Sequence, residues 1–169
     1  MRLYHGSNVI VDSPKILTPN RNLDFGAGFY TTTNYDQAQN FAEKVTFRRK
    51  SGISTVNIYE FDETACDELN LLSFTSADEA WLDFVYNNRV GRPSKIRYDI
   101  ISGPVANDDA YRTFTLYENG VLTKEQTVTS LKIRKLYDQY VFASVKALSY
   151  LRFIEVHTRK EHRNGHKTI

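Results

Sequence analysis

Two short segments near the start of the chain place polar and aromatic side chains beside glycines. They are Leu3-Tyr4-His5-Gly6-Ser7 and Asp24-Phe25-Gly26-Ala27-Gly28-Phe29-Tyr30-Thr31-Thr32. Each is typical of a short apolar strand, and glycine lets backbone amides approach a flat ligand without a Cβ in the way. His5 can hydrogen-bond such a ligand and Tyr30 can stack on it, and an aromatic pair contributes about 0.5 to 1.5 kcal/mol beyond burial. The pattern predicts a clamp for a planar ring.

These segments resemble the His-Tyr-Glu branch of the ADP-ribosyltransferases, the NAD-consuming fold of poly(ADP-ribose) polymerases and diphtheria toxin. In that branch the first strand carries His-Gly-Ser or His-Gly-Thr, and the second carries Gly-x-Tyr before a helix. The resemblance implies that NAD is the co-substrate and that His5 hydrogen-bonds the adenosine-side ribose. It also implies that the Gly6 backbone binds the nicotinamide carboxamide and that nicotinamide stacks on Tyr30. Ser7 and Gly28 belong to the same motifs, and we expect them at the NAD site.

A His-Gly-Ser alone is more often a core or turn feature. Here both motifs occur in the family's order, with an amphipathic helix directly after the second, and this favours the functional interpretation. Asn34 predicts the N-cap of that helix, which we expect to run to about residue 47. Its predicted apolar face comprises Ala38, Phe41, Ala42 and Val45.

Two positions on this helix have counterparts in the polymerases. There a small hydroxyl residue donates to the carboxamide and a second aromatic ring stacks on nicotinamide. This chain has Ala38 and Phe41 at those positions, so the donor is lost and a ring is kept. Phe41 is either a stacking residue or a core residue of the helix.

The third motif of the branch is a Glu at the start of a strand, and the segment Asp138-Gln139-Tyr140-Val141-Phe142 places Gln139 there. In the family this Glu bonds the ribose 2′-hydroxyl and stabilises positive charge as nicotinamide leaves. Gln keeps the hydrogen bond and loses the charge, and removing one preorganised electrostatic contact costs on the order of 10² to 10³ in rate. Gln139 thus indicates slow transfer, a target that supplies its own carboxylate, or binding without turnover. The alternative is a surface Gln at a strand start.

Composition sets the wider limits. A length of 169 residues predicts a single domain, with 41% apolar and 25% charged residues as in ordinary globular proteins. Apolar runs are too short for a membrane span, and no secretory signal follows Met1. One cysteine, Cys66, forms neither an internal disulfide nor a zinc site. We therefore expect a cytoplasmic protein with no bound metal and no membrane partner.

A net charge of +2 is too small to indicate a nucleic-acid partner, and the basic tail at 158–167 is typical of a solvated chain end. Further elements are predicted along the chain from caps and apolar periodicity. These are a strand at 55–61, a helix with a Ser76 capping box, a strand at 98–105, a polar loop at 107–109, a helix at 126–136, a strand at 140–143, a Ser144-capped helix to 151 and a strand at 152–158. Helices and strands do not alternate regularly, which indicates an α+β fold. The resemblance implies one ADP-ribosyltransferase-like domain over residues 1–169, with a split mixed β-sheet core and flanking helices.

More narrowly, most of the chain is similar to a bacterial family of ADP-ribosyltransferase-like proteins, many of which look like toxins of toxin-antitoxin pairs. The resemblance extends to Trp81-Leu82-Asp83-Phe84, Asn88-Arg89 and the segment from Tyr98-Asp99 to Asp108. Two hypotheses follow. The chain is an NAD-dependent mono-ADP-ribosyltransferase, restrained by a small antitoxin protein, whose acceptor is a protein, a nucleic acid or a small molecule. Alternatively it is a catalytically weak or inactive module that binds NAD or ADP-ribose.

Overall fold

The computed structural model describes residues 1–18, 23–105, 108–132 and 136–159, without the side chains of 65, 66 and 108–111. Strands and helices are mixed along the chain, which confirms the α+β class. In order, the elements are β1 Arg2–Ser7, β2 Phe29–Thr31, α1 Tyr35–Arg49, β3 Ser54–Phe61, a 3-10 helix Glu63–Glu68, β4 Leu71–Ser73, α2 Glu79–Arg89, β5 Ile100–Val105, α3 Asp108–Glu118, α4 Lys124–Lys132, β6 Tyr137–Phe142, α5 Val145–Leu148 and β7 Leu151–Arg159. Within the described residues, no helix is long and apolar enough to cross a membrane.

The strands form two sheets. The first has the order β1-β3-β7 with antiparallel neighbours, and the second has the order β2-β6-β5-β4. In the second sheet β4 runs parallel to β5, whereas the β2–β6 and β5–β6 pairs are antiparallel. A backbone bridge between Tyr4 and Thr32 links the two sheets. This bridge positions the candidate site.

An apolar cluster joins the two sheets because residues two apart on a strand share a face. The Phe29 ring lies 5.6 Å from that of Tyr59, and the Phe61 ring lies 5.2 Å from that of Phe142. The buried members of the cluster are Leu3, Phe29, Tyr59, Phe61, Leu69, Ile100, Phe142 and Ala147. Each sheet therefore has one face fixed against the other.

Helices cover the remaining faces. Ala38 of α1 packs with Val56 and Ile58 of β3 on the first sheet. On the second sheet, α2, α3 and α4 pack over β5 and β6. The buried members of this second cluster are Phe25, Ala77, Trp81, Leu82, Val85, Ile101, Phe114, Val128, Leu131 and Val141.

Several predicted boundaries are confirmed and others were wrong. Asn34 caps α1, since its Oδ1 accepts from Gln37 N at 2.8 Å, and Ser144 caps α5. The cap of α2 is Asp78 rather than Ser76, because Asp78 Oδ1 accepts from Trp81 N at 2.9 Å.

Two further predictions differ from the structure. The predicted polar loop was wrong at 108 and 109, which begin α3, while 107 lies outside the described residues. Helix α4 ends at Lys132, and Leu136 is not helical. The basic tail from 160 onward also lies outside the described residues.

Candidate functional site

The candidate site is built around the bridge between β1 and β2. Tyr4 N donates to Thr32 O at 2.8 Å, and Thr32 N donates to Tyr4 O at 3.0 Å. In an antiparallel ladder, residues alternate between directing both backbone groups towards one neighbour and directing them away. Tyr4 therefore faces β2, and the residues on either side of it face β3. The hydrogen bond from Phe61 N to Met1 O agrees with this alternation, because Met1 lies three residues before Tyr4 and its carbonyl faces β3.

Gly6 follows Tyr4 by two residues, so its N–H and C=O also point away from β3, to the edge where β1 and β2 diverge. Helix α1 packs closely over this glycine. A Cβ on Gly6 would lie 2.0 Å from Ala38 O and 2.9 Å from Ala42 N. Glycine is thus required by the packing of α1, and it leaves an amide and a carbonyl directed into the split between the sheets.

The His5 ring is held by the second predicted motif. Its Nδ1 lies 2.7 Å from Tyr30 O, and its ring centroid lies 4.4 Å from that of Phe29. A carbonyl oxygen only accepts, so Nδ1 carries the proton and donates, which leaves Nε2 of the neutral ring as an acceptor. Burial lowers the pKa of His5, and the bond to the Tyr30 carbonyl opposes this in part. The neutral tautomer is therefore favoured.

The Tyr30 phenol is fixed by the loop before β2. Its hydroxyl donates to Gly26 O at 2.7 Å and accepts from Phe25 N at 3.3 Å. Burial is the main cause that raises the pKa of Tyr30 far above its usual value, and the nearby Asp24 carboxylate adds to this. Tyr30 thus remains neutral, with its ring partly buried against the cluster under α2.

Helix α2 holds that loop in place. Asn88 Nδ2 donates to Asp24 O at 2.9 Å, and Arg89 Nε donates to the Asp24 carboxylate at 2.7 Å. The Arg89 guanidinium also lies 4.1 Å from the centre of the Phe114 ring. The side chains of Arg89 and Asp24 are only 14% and 16% exposed. These contacts give the Asn88-Arg89 pair a positioning role for the Tyr30 loop.

Gln139 lies inside β6, beside Tyr30. Tyr30 pairs with Val141, and a residue two positions from a cross-strand partner lies about 7 to 8 Å away on the same face. Gln139 is 5% exposed, so the alternative of a surface Gln at a strand start was wrong. Its Nε2 donates to Pro104 O at 3.5 Å, an oxygen that also accepts from Trp81 Nε1 at 2.9 Å. Within the described part of the chain, no hydrogen bond joins Gln139 to His5 or Tyr30.

Phe41 is exposed, so its alternative role in the core was wrong. The buried residues of α1 are Ala38, Ala42 and Val45, whereas Phe41 is 49% exposed. Gln37 lies one turn earlier, and its Oε1 is 2.9 Å from the Thr32 hydroxyl. Residues four apart share a flank of a helix, so Phe41 lies on the flank that faces the bridge and the open edge of Gly6.

Ser7 and Gly28 have structural contacts. Ser7 is buried, and its Oγ accepts from Val9 N at 3.3 Å. A Cβ on Gly28 would lie 2.5 Å from Val141 Cγ1 and 2.9 Å from Phe142 O. Gly28 thus allows the loop to pass close to β6 just before Tyr30.

Sequence reasoning did not assign Thr32 and Asp138. The Thr32 hydroxyl lies 2.9 Å from Asp138 Oδ1, which also accepts from Thr33 N at 3.0 Å. The other carboxylate oxygen of Asp138 accepts from the Thr33 hydroxyl. The available signals were the run Thr31-Thr32-Thr33 and an acid next to Gln139. Asp138 ties the start of α1 to β6 and so holds the two sheets at their junction.

The amino-acid sequence matches one family model over most of its length. A family model described as "Protein of unknown function (DUF3990)" matches residues 1–153. Because the match covers most of the 169 residues, the chain belongs to this family. No curated protein and no solved structure matches it.

Proposed function

We propose that this protein is an NAD-dependent mono-ADP-ribosyltransferase. The observation that carries the proposal is the bond from His5 Nδ1 to Tyr30 O. It brings together two motifs that are separated in sequence and that were selected from sequence as halves of one site. The two sheets, linked at Tyr4 and Thr32, support an ADP-ribosyltransferase-like split core.

The residues at the junction suit the parts of NAD. A carboxamide offers one donor and one acceptor group, and the Gly6 backbone directs a C=O and an N–H to the same edge. His5 Nε2 accepts, which suits a ribose hydroxyl. The exposed Phe41 ring provides an apolar face for nicotinamide on one side, and Tyr30 is the second ring of the site.

In the proposed reaction an acceptor nucleophile attacks C1′ of the ribose attached to nicotinamide. A bond forms between the nucleophile and C1′, the bond from C1′ to the nicotinamide nitrogen breaks, and neutral nicotinamide leaves with the electron pair. The acceptor loses one proton. His5 and Gly6 bind and orient NAD, while the Gln139 amide orients the ribose without adding negative charge. Since elongation in the polymerases uses the Glu that Gln139 replaces, one unit per acceptor is the expected product.

A second candidate is an NAD or ADP-ribose binding module without turnover. The Gln139 side chain favours it, because this side chain is neutral, 5% exposed and hydrogen-bonded to Pro104. Both candidates use the same clamp and differ only in whether the bond to nicotinamide breaks. If the transferase is a toxin, a small antitoxin protein would have to restrain it.

Labelled NAD incubated with a cell lysate separates the two candidates. A transferase transfers label to an acceptor and releases nicotinamide, whereas a binding module retains intact NAD. The control is a His5→Ala, Phe41→Ala double variant. It removes the imidazole nitrogen that accepts a hydrogen bond from the ribose, and it removes the exposed aromatic ring. Label transfer by the wild type that the double variant loses supports the transferase; equal labelling by both proteins rejects it.

A further inference from the structure

A small cavity lies where β4 ends beside β5 and β6, close to the junction of the sheets. Its volume is about 200 Å³. Beyond the Ser73–Ser102 pair, Phe74 N donates to Ser102 O at 2.8 Å, and β4 stops there. We call this cavity the hydroxyl groove. Its polar lining residues are Ser73, Thr75, Ser102, Tyr137, Asp138 and Tyr140.

The size of the groove restricts its occupant. Sites for drug-sized ligands have volumes of about 300 to 1,000 Å³, so a cavity of about 200 Å³ suits one amino-acid side chain and is too small for a dinucleotide. The groove therefore fits a group much smaller than a whole NAD molecule.

The charge of the groove also restricts its occupant. Asp138 is the one charged residue among the described lining residues. Its carboxylate receives up to three hydrogen bonds, from the Thr32 hydroxyl and from the amide and hydroxyl of Thr33. A carboxylate has about four acceptor sites, which leaves one on Oδ2 for a further donor. A cation fits this position, and a phosphate would be repelled by it.

The two tyrosines select among cations. Tyr137, which is 36% exposed, and Tyr140 both line the groove and belong to β6. A planar guanidinium both stacks on aromatic faces and donates several hydrogen bonds, whereas an ammonium is a compact, strongly hydrated charge. The hydroxyls of Ser73, Thr75 and Ser102 add acceptors around the rim.

We propose that the hydroxyl groove binds the guanidinium group of an arginine side chain on a protein acceptor. The acceptor role rests on the proposed function. Asp138 contacts the Thr32 and Thr33 hydroxyls, and Thr32 forms the bridge to Tyr4, so the carboxylate of the groove lies at the junction of the two sheets. In the transfer step a guanidine nitrogen bonds to C1′ of the ribose, nicotinamide leaves with the electron pair, and the nitrogen releases a proton to water.

Agmatine, a small guanidinium compound, tests the binding site directly. In a backbone-amide NMR titration of the full chain, we expect agmatine to shift the signals of Ser73, Ser102 and Tyr140. Thr75 is exposed on the rim, so its charge can be changed without altering the core. Thr75→Lys should weaken agmatine binding about fivefold and Thr75→Glu should tighten it about fivefold, the effect of a unit charge about 4 Å away in water.

Val145→Lys is the matched control, because Val145 is 78% exposed on α5 and does not line the groove. We expect wild-type agmatine affinity for this variant. Three results would each overturn the proposal. The first is a change of agmatine affinity in the same direction in both Thr75 variants. The others are NMR shifts confined to residues outside the groove, and shifts of the groove residues caused by AMP in place of agmatine.

Nicotinamide release from NAD, with and without agmatine, separates this proposal from the proposed function. We expect agmatine to raise the release rate and to become ADP-ribosylated. NAD cleavage with neither agmatine stimulation nor groove shifts overturns the groove and leaves the transferase. Groove shifts without any NAD binding or cleavage leave the cation site and reject its role as an acceptor site.

Discussion

At the scale of single residues, the His5 ring links β1 to β2 in one protonation state. Its Nδ1–H donates a hydrogen bond to Tyr30 O, and burial lowers the pKa of the ring. The motif predicted that His5 and Tyr30 share a site. It did not predict that the contact runs through the Tyr30 backbone, because a contact between residues 25 positions apart depends on how the strands pair.

This environment predicts a pH dependence of stability. Below the usual His pKa of 6.5 the unfolded chain takes up a proton that folded His5 does not, so the free energy of unfolding falls as the pH falls. The contribution of His5 to the free energy of unfolding is complete above about pH 6.5. It is lost as the pH falls from there through the lowered pKa of the folded state. Denaturant unfolding at a series of pH values from about 8 to about 5 measures this dependence. The free energy of unfolding should change less steeply with pH for His5→Gln than for wild type.

His157→Gln is the control for that slope, because the His157 side chain is 51% exposed. We expect it to follow the wild-type curve. If His5→Gln and wild type show the same slope, His5 is not held in the neutral form by burial.

Phe41 gives a second prediction at this scale. Because Phe41 is 49% exposed, Phe41→Ala should leave the free energy of unfolding nearly unchanged. It should weaken NAD binding by about 0.5 to 1.5 kcal/mol, the contribution of an aromatic pair. Calorimetric titration of NAD measures this, with Phe47→Ala as control, since Phe47 is 81% exposed on the same helix. Equal affinities of both variants would remove Phe41 from the site.

At the scale of elements, local signals succeeded where a cap or an apolar period lay within one segment. Helix α1 begins at its predicted Asn34 cap, and β3 and β7 follow their predicted spans within one residue. Helix α3 was missed because Gly103-Pro104 and the acids at 108 and 109 are typical of a turn. Phe114 of α3 is buried in a cluster with Phe25 and with residues of α2 and α4. These contacts are distant in sequence, so the local pattern of residues does not predict them.

The contact of α2 with the Tyr30 loop gives a prediction at the element scale. Asp24→Asn removes the carboxylate charge 2.7 Å from the mostly buried Arg89, which keeps the more distant Glu118 carboxylate at 3.9 Å. Loss of one partner of a buried pair costs about 3 to 5 kcal/mol, and the residual exposure here lowers our expectation to about 2 to 3 kcal/mol. Chemical denaturation measures the change.

The Asp83–Lys124 pair provides the comparison for Asp24, because its side chains are 48% and 39% exposed. Asp83→Asn should cost less than about 1 kcal/mol, as exposed ion pairs do. Equal costs for the two variants would mean that Asp24 and Arg89 do not hold the loop.

At the scale of the whole molecule, the α+β class follows from the irregular order of elements, whereas the junction of the sheets does not. Thr32 contacts Tyr4 and Asp138 across gaps of 28 and 106 residues, and only the folded chain brings these together. Gln139 illustrates the limit well. Its place in the third motif came from local resemblance, while its burial depends on β5 and on Trp81 of α2.

The rate of nicotinamide release by Gln139 variants tests the central claim most directly. If Gln139 orients the ribose in a transferase, Gln139→Ala should lower kcat far more than NAD affinity, the signature of an interaction made mainly in the transition state. Gln139→Glu should retain or raise the rate, because it restores negative charge beside the ribose. Nicotinamide release at one common rate by wild type and both variants, or no release by any of them, would contradict the account.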